Sequence, residues 1–333
     1  MKLLLFETAY DRVRERIAES EPQLTVCLMT KEGDLVVGGQ KQDPASFQPE
    51  IAWLSMDLMY HGRIREFIDV VSNAPGLKWV QTANAGLDAP IYRQIAATGT
   101  RLSNSDAQAL SIAEYVLGHV LHCFQGIEQR LDAQRQSKWR YMPFREVAGS
   151  TWLVIGFGNI GQKIAERAKP FGAHIVGVRH SGMDHPLADK IIRQDDILSV
   201  LPDADVVVLA CPITDETHNM ANAEFFGAMK EKSLLVNIGR GDLVDDDALL
   251  AALDQGVPGN AVLDAFSTEP LPKDHGFWSH EKIILTAHTS NAGSGLLDRG
   301  DALFSENLKN YLTGQPLKNE VDMAAMFPDI VPI

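Results

Sequence analysis

Trp152-Leu153-Val154-Ile155-Gly156-Phe157-Gly158-Asn159-Ile160-Gly161 is the stretch on which the reading of this chain turns. The apolar run at its start has no polar alternation, which predicts a short strand buried on both faces. After the glycines, an amphipathic segment from Gln162 to Phe171 predicts a helix closed by Gly172. Between strand and helix the glycines serve three physical ends, namely a tight turn, close approach of the backbone to a pyrophosphate, and close helix–strand packing. The helix start adds unpaired N–H groups and a partial positive charge. The loop Gly156, Phe157, Gly158, Asn159, Ile160, Gly161 therefore reads as a dinucleotide cradle, the alternative being a glycine-rich turn that holds nothing.

The same grammar continues outward. Apolar runs at His174–Val178, Val206–Leu209, Leu234–Ile238, Ala261–Leu263 and Ile283–Leu285 alternate with helical patterns. Strand, helix, strand in repetition implies a parallel sheet covered on both sides, a doubly wound Rossmann-type domain. The first hundred residues repeat the pattern more weakly, with apolar runs at Leu3–Phe6, Leu24–Met29, Ile51–Leu54 and Trp79-Val80 and helices over 10–19 and 64–73. They predict a second, smaller α/β unit. One long helix, from Asp106 to about Gln129, is expected to cross from that unit into the dinucleotide domain. A last helix over 298–312 has no strands of its own and is expected to pack back onto the first unit. The expected division is 1–105 plus 290–333, and 106–289.

Composition bounds the function. At 333 residues, 45% apolar and 22% charged, the chain has the make-up of a globular protein of two domains. Its 44 carboxylates outweigh 30 Lys and Arg, a net charge of −14, and no basic cluster stands out. A nucleic-acid partner is therefore not expected. No charge-free apolar run reaches the ~20 residues of a membrane span, so no membrane partner is expected either. Cys27, Cys123 and Cys211 are far apart and odd in number, which favours a reducing compartment, by default the cytosol. His119, His122 and Cys123 lie close on one helical stretch, but no second cluster completes a metal site, and packing is the expected role. Asp245-Asp246-Asp247 reads as a helix start.

The strand ending at Val178 selects the cofactor. A carboxylate ~20 residues beyond the glycines would bind the ribose 2′-hydroxyl of NAD. Here the sequence is Arg179-His180-Ser181. A guanidinium can clamp a 2′-phosphate on two oxygens, whereas a carboxylate would repel it. Arg179, His180 and Ser181 therefore point to NADP(H), the alternative being a solvated surface arginine.

Three further segments put a chemically able residue just past a strand, on the edge where open α/β sheets bind ligands. They are Val236-Asn237-Ile238-Gly239-Arg240-Gly241, Leu263-Asp264-Ala265-Phe266-Ser267-Thr268-Glu269-Pro270, and Leu285-Thr286-Ala287-His288-Thr289-Ser290. Arg240 is suited to pair with a substrate carboxylate and polarise the adjacent carbonyl. His288 is suited to exchange a proton with the oxygen as a hydride arrives or leaves. Glu269 is suited to hydrogen-bond the imidazole and fix its tautomer.

Over most of its length the chain resembles the D-isomer-specific 2-hydroxyacid dehydrogenases. The glycine loop, the Arg240, Glu269 and His288 segments, the turn Asn84-Ala85-Gly86-Leu87-Asp88 and the tail Gly314-Gln315-Pro316-Leu317 follow the family's order. The resemblance implies Arg240, Glu269 and His288 as catalytic residues. It also implies a substrate carboxylate held by backbone N–H groups of Ala85 and Gly86, and a nicotinamide carboxamide contact at Asp264. Cys211, Pro212, Thr217, Ile238 and Gly239 would line the cofactor cleft. The first unit would be a flavodoxin-like substrate domain, with Met56 a candidate lining residue, closing with the other on substrate, and the protein would be a homodimer. Several positions depart from the pattern. Arg179 resembles the NADP-using glyoxylate and hydroxypyruvate reductases, Ala287 replaces a usual proline, and Thr289-Ser290 follows the histidine. Formate dehydrogenases of similar fold carry glutamine where this chain has Glu269. A non-catalytic nucleotide-sensing protein of the same fold is the second reading, disfavoured by the intact Arg, Glu and His set.

Overall fold

The computed structural model describes residues 1–327 and 330. The chain forms two compact units, one of residues 1–107 with 294–333 and one of residues 108–293.

The first unit holds β1 (Lys2–Phe6), β2 (Thr25–Met29), β3 (Leu35–Val37), β4 (Gln40–Gln42), β5 (Ile51–Leu54), β6 (Trp79–Thr82) and β7 (Arg101–Ser103) in one sheet ordered β4-β3-β2-β1-β5-β6-β7. Strands β2-β1-β5-β6-β7 run parallel, and their order is that of a flavodoxin-like sheet. Leu3, Leu4, Leu5 and Phe6 are all fully buried, as a central strand with helices on both faces requires. Helix Glu7–Ser20 adds Ala9, Val13 and Ile17, spaced four apart on one stripe. The last helix, Leu296–Leu312, returns to this unit, where Phe304 stacks on Trp53 with ring centroids 4.1 Å apart. The hairpin β2-β3-β4 is antiparallel and turns on Gly38-Gly39, both at positive φ. Of its strands only β2 was expected from the apolar runs; β3 and β4 lie outside them.

The second unit holds β8 (Thr151–Ile155), β9 (His174–Val178), β10 (Lys190–Ile192), β11 (Val206–Leu209), β12 (Leu234–Asn237), β13 (Asn260–Leu263) and β14 (Ile283–Leu285), ordered β10-β9-β8-β11-β12-β13-β14 and parallel throughout. The order reverses between β8 and β11, the switch point at which such sheets open a crevice at the strand ends. Helix Asn159–Ala168 starts there and packs on helix Ala109–Gln125.

One expectation is corrected. The helix foreseen over 106–129 ends at Gly126, which adopts φ 60° and ψ 50°, a left-handed cap that only glycine takes without cost. The next helix, Ile127–Arg135, starts directly after that cap and buries none of its residues.

Candidate active site

The glycine loop has the shape its spacing predicts. Gly156 sits at φ +97°, and a Cβ there would lie 2.5 Å from the backbone of Ala210 and Cys211. A Cβ on Gly161 would lie 2.4 Å from the Gly156 carbonyl oxygen. Both glycines are therefore demanded by the fold itself. Gly158, which caps the helix, differs: a Cβ there would meet nothing within 4 Å. Its bare backbone faces open space at a helix N-terminus, which gives a bound pyrophosphate both room and N–H donors. Phe157 is 1% exposed and its ring fills the space over Gly177, so only its backbone is available to a ligand.

Beyond β12, the buried Asn237 ties its own loop. Its Oδ1 accepts from the Gly239 N–H at 3.1 Å and its Nδ2 donates to the Arg240 carbonyl at 2.9 Å. Arg240 Nη1 donates to the Gly239 carbonyl at 2.8 Å, leaving the side chain half-buried. Gly241 then presses on the next loop so closely that a Cβ would stand 1.8 Å from the Phe266 carbonyl carbon. This contact sets the arginine loop directly against the glutamate loop.

Glu269 Oε1 accepts the Phe266 N–H at 3.0 Å, which fixes the carboxylate. His288 Nδ1 lies 2.9 Å from Glu269 Oε2 and 3.1 Å from Oε1. With the carboxylate as acceptor, Nδ1 carries the hydrogen, and Nε2 is the nitrogen turned away from Glu269. His288 is held at φ 53°, a conformation uncommon for a residue with a Cβ. The pair is about two-fifths exposed, so it can reach a small molecule from solvent.

The second unit matches the family model described as D-isomer specific 2-hydroxyacid dehydrogenase, NAD binding domain, over residues 117–290. The chain belongs to that family. An uncharacterised protein of Corynebacterium melassecola is 32% identical over 276 residues, covering 80% of this chain and 88% of that protein. A glyoxylate/hydroxypyruvate reductase of Arabidopsis thaliana is 27% identical over 284 residues, covering 84% and 86%. A D-isomer specific 2-hydroxyacid dehydrogenase family protein of Aeromonas salmonicida has a solved structure with TM-score 0.75 at 28% identity, covering 97% of this chain and 98% of that one. Membership makes the chain an oxidoreductase of the 2-hydroxyacid dehydrogenase class, built to bind a nicotinamide cofactor.

Within this dehydrogenase the structure assigns partners that sequence reasoning missed. Asp264, 1% exposed, accepts from Thr286 Oγ1 at 2.5 Å, from the Thr289 N–H at 2.8 Å and from the Ser290 N–H at 2.9 Å. These bonds to its carboxylate brace the loop on both sides of His288. Thr286 in turn meets the hydroxyl of Tyr115 at 2.6 Å, and burial pushes that phenol up to about 12. These links span many residues in sequence and leave no local signal. Thr217 is buried, and its hydroxyl donates to the Pro212 carbonyl at 2.9 Å, shaping the turn after Cys211. Burial pushes the Cys211 thiol up to about 11, which makes it a poor nucleophile. Ile238 is buried, while His180 and Ser181 are exposed past β9 with Arg179 half-buried beside them. His119 packs 4.3 Å from the Tyr115 ring, its pKa lowered by burial and by neighbouring His122.

In the first unit, Ala85 and Gly86 lie in the turn after β6. Asn104 Nδ2 donates to the Ala85 carbonyl and the Ser105 N–H to the Asn84 carbonyl, both at 2.9 Å, which orients the turn. Met56 lines a cavity of about 20 Å³ in this unit with Arg12, Trp53, Ser55 and Asp57, room for a single water.

Proposed function

We propose that this protein is an NADPH-dependent reductase of a small 2-oxo acid, of the glyoxylate or hydroxypyruvate type, that yields the D-2-hydroxy acid. The observation that carries the reading is the His288–Glu269 pair, oriented for proton transfer and set beside the arginine loop. The name of the Arabidopsis relative supports the substrate class. The half-buried Arg179 at the end of β9, where a carboxylate would select NAD, supports NADPH.

In this mechanism Arg240 binds the substrate carboxylate and draws electron density from the adjacent carbonyl. The nicotinamide cofactor supplies the hydride that adds to the carbonyl carbon. His288 Nε2 gives its proton to the carbonyl oxygen while Nδ1–H stays on Glu269, so the alcohol forms and the imidazole leaves the step neutral. In the reverse direction His288 takes the proton back. Gly156, Gly158 and Gly161, with the backbone of Phe157, Asn159 and Ile160, form the pyrophosphate cradle, and Arg179, His180 and Ser181 the 2′-phosphate end. Cys211, Pro212, Thr217, Ile238 and Gly239 wall the cofactor site. Asp264 braces the loop that carries His288 and is the proposed contact for the nicotinamide carboxamide. The backbone N–H groups of Ala85 and Gly86 are further substrate contacts. In this reading residues 106–289 serve the cofactor, and 1–105 with 290–333 the substrate.

The protein is proposed to pair as a homodimer in the cytosol. Residues 127–148 support this, since they expose Trp139, Tyr141 and Phe144 and carry five cations against three carboxylates in a chain of net charge −14. A second copy offers that segment both apolar cover and opposite charge.

Oxidation of NADPH and NADH on a panel of 2-oxo acids tests the reading. Turnover on glyoxylate or hydroxypyruvate is expected, with little on aldehydes that lack a carboxylate. Tight nucleotide binding without turnover on any acid of the panel would favour a nucleotide sensor instead.

A further inference from the structure

Strand β10 brings a second guanidinium to the end of β9. The two strands are parallel with Val178 opposite Ile192, and the Arg179 N–H donates to the Ile192 carbonyl at 3.1 Å. The next residues in register are Arg179 and Arg193. Arg179 opens a tight turn, closed by the Gly182 N–H on the Arg179 carbonyl at 3.1 Å. Arg193 folds its side chain over that turn, so that a Cβ on Gly182 would lie 2.9 Å from Arg193 Nε and 3.2 Å from Cγ. Gly182 is therefore needed twice, for its φ of +64° and for the room it leaves the arginine.

Among the described residues neither Arg179 nor Arg193 forms an ion pair with a carboxylate. Nearby cations behave otherwise: Lys169 holds Asp189 at 2.7 Å and Lys163 holds Glu166 at 2.6 Å. In a chain with 14 more acids than bases, two arginines that follow paired strand ends, neither with a carboxylate partner, form a site short of an anion. They repel one another across water, and a group carrying two negative charges between them reverses the sign of that energy.

We infer that Arg193 is a second specificity-determining residue, which joins Arg179 in binding the 2′-phosphate of NADP(H). The inference rests on the NADPH reading above and adds a residue from a different strand. Two guanidiniums approaching from separate strands can together engage all the free oxygens of one phosphate and balance both of its charges, where a single arginine clamps two oxygens and balances one charge.

The test is nucleotide binding rather than turnover. Dissociation constants are measured for NADPH, NADH, 2′,5′-ADP and 5′-AMP on the wild-type protein, Arg193→Gln, Arg193→Lys and Arg179→Gln. Arg193 is exposed, so the variants are expected to fold, and a thermal melt checks it. Arg193→Gln should weaken NADPH and 2′,5′-ADP roughly tenfold, leave NADH and 5′-AMP near their wild-type values, and flatten the salt dependence of NADPH binding. Arg193→Lys should recover part of the loss. If Arg193→Gln binds NADPH as wild type does, or loses NADH equally, the inference is overturned. Should that happen while Arg179→Gln abolishes the NADPH preference, the cofactor reading itself stands. A wild-type protein that binds both nucleotides alike overturns both.

Discussion

His288 Nδ1 faces both oxygens of Glu269, at 2.9 and 3.1 Å, while the histidine backbone sits at φ 53°. The carboxylate thus holds one ring nitrogen and the loop holds the main chain, so the other nitrogen has a fixed direction. Replacing Glu269 with Gln keeps the size of the side chain and removes its charge and half its acceptor capacity. We expect kcat to fall roughly 100-fold, with nucleotide affinity unchanged. A variant with near-normal kcat would remove Glu269 from the role assigned to it.

Arg240 is expected to act on the anionic part of the substrate. Arg240→Gln should lower kcat/KM for glyoxylate by on the order of 100-fold or more and leave the dissociation constant for NADPH unaltered. Equal loss of nucleotide binding would instead mark the residue as a support for the loop that Asn237 ties.

The glycine loop separates folding from binding. Gly156→Ala places a Cβ 2.5 Å from the Ala210 backbone at φ +97° and should cost about 2–3 kcal/mol of stability. Gly158→Ala meets nothing within 4 Å and should leave the melting temperature unchanged. Its methyl group stands where the backbone approaches pyrophosphate, and nucleotide affinity should drop about tenfold or more. Calorimetry of both variants, with and without nucleotide, distinguishes the two effects. Tight nucleotide binding by Gly158→Ala would place the phosphates elsewhere.

Asp205 offers a pH test. Burial alone would raise its carboxyl, but Lys230, the Thr151 N–H and Arg145 together hold it below the usual carboxylate range. A depressed native value means stability that is present above the unfolded pKa of 3.8 and is lost as pH falls through the native one. Asp205→Asn should therefore destabilise the protein by about 2 kcal/mol at neutral pH. The gap from wild type should close on the acid side of 3.8. A gap of constant size down the acid limb of a denaturation series would show that the charge contributes nothing.

The Rossmann unit was legible because its strands are buried on both faces, and Val206–Leu209 and Leu234–Asn237 read as unbroken apolar runs. The placement of the candidate site residues was legible for a related reason: ligands meet such sheets at the strand ends, and Arg240, Glu269 and His288 follow β12, β13 and β14. Strand β10 was not, since Lys190-Ile191-Ile192 is three residues on a sheet edge with one of them exposed. Missing β10 also hid Arg193. The hairpin on Gly38-Gly39 carried a turn signal in its sequence, but the polar strand Gln40-Lys41-Gln42 shows no apolar face to support it. The break at Gly126 was masked because a second helix, Ile127–Arg135, starts at the very next residue with no loop between. Asp264 as a brace for the histidine loop depends on bonds that reach 22 to 26 residues ahead, and only folding brings them together.

Trp53 and Trp79 have their aromatic neighbour in Phe304, on a helix that arrives after the whole second unit has been made. On the ribosome the nascent first unit must wait, with that tryptophan surface uncovered, while the continuous middle stretch of the chain is free to fold as it emerges. Maturation of the protein therefore runs out of order with its synthesis, and the amino-terminal unit is the one that most needs shelter during translation.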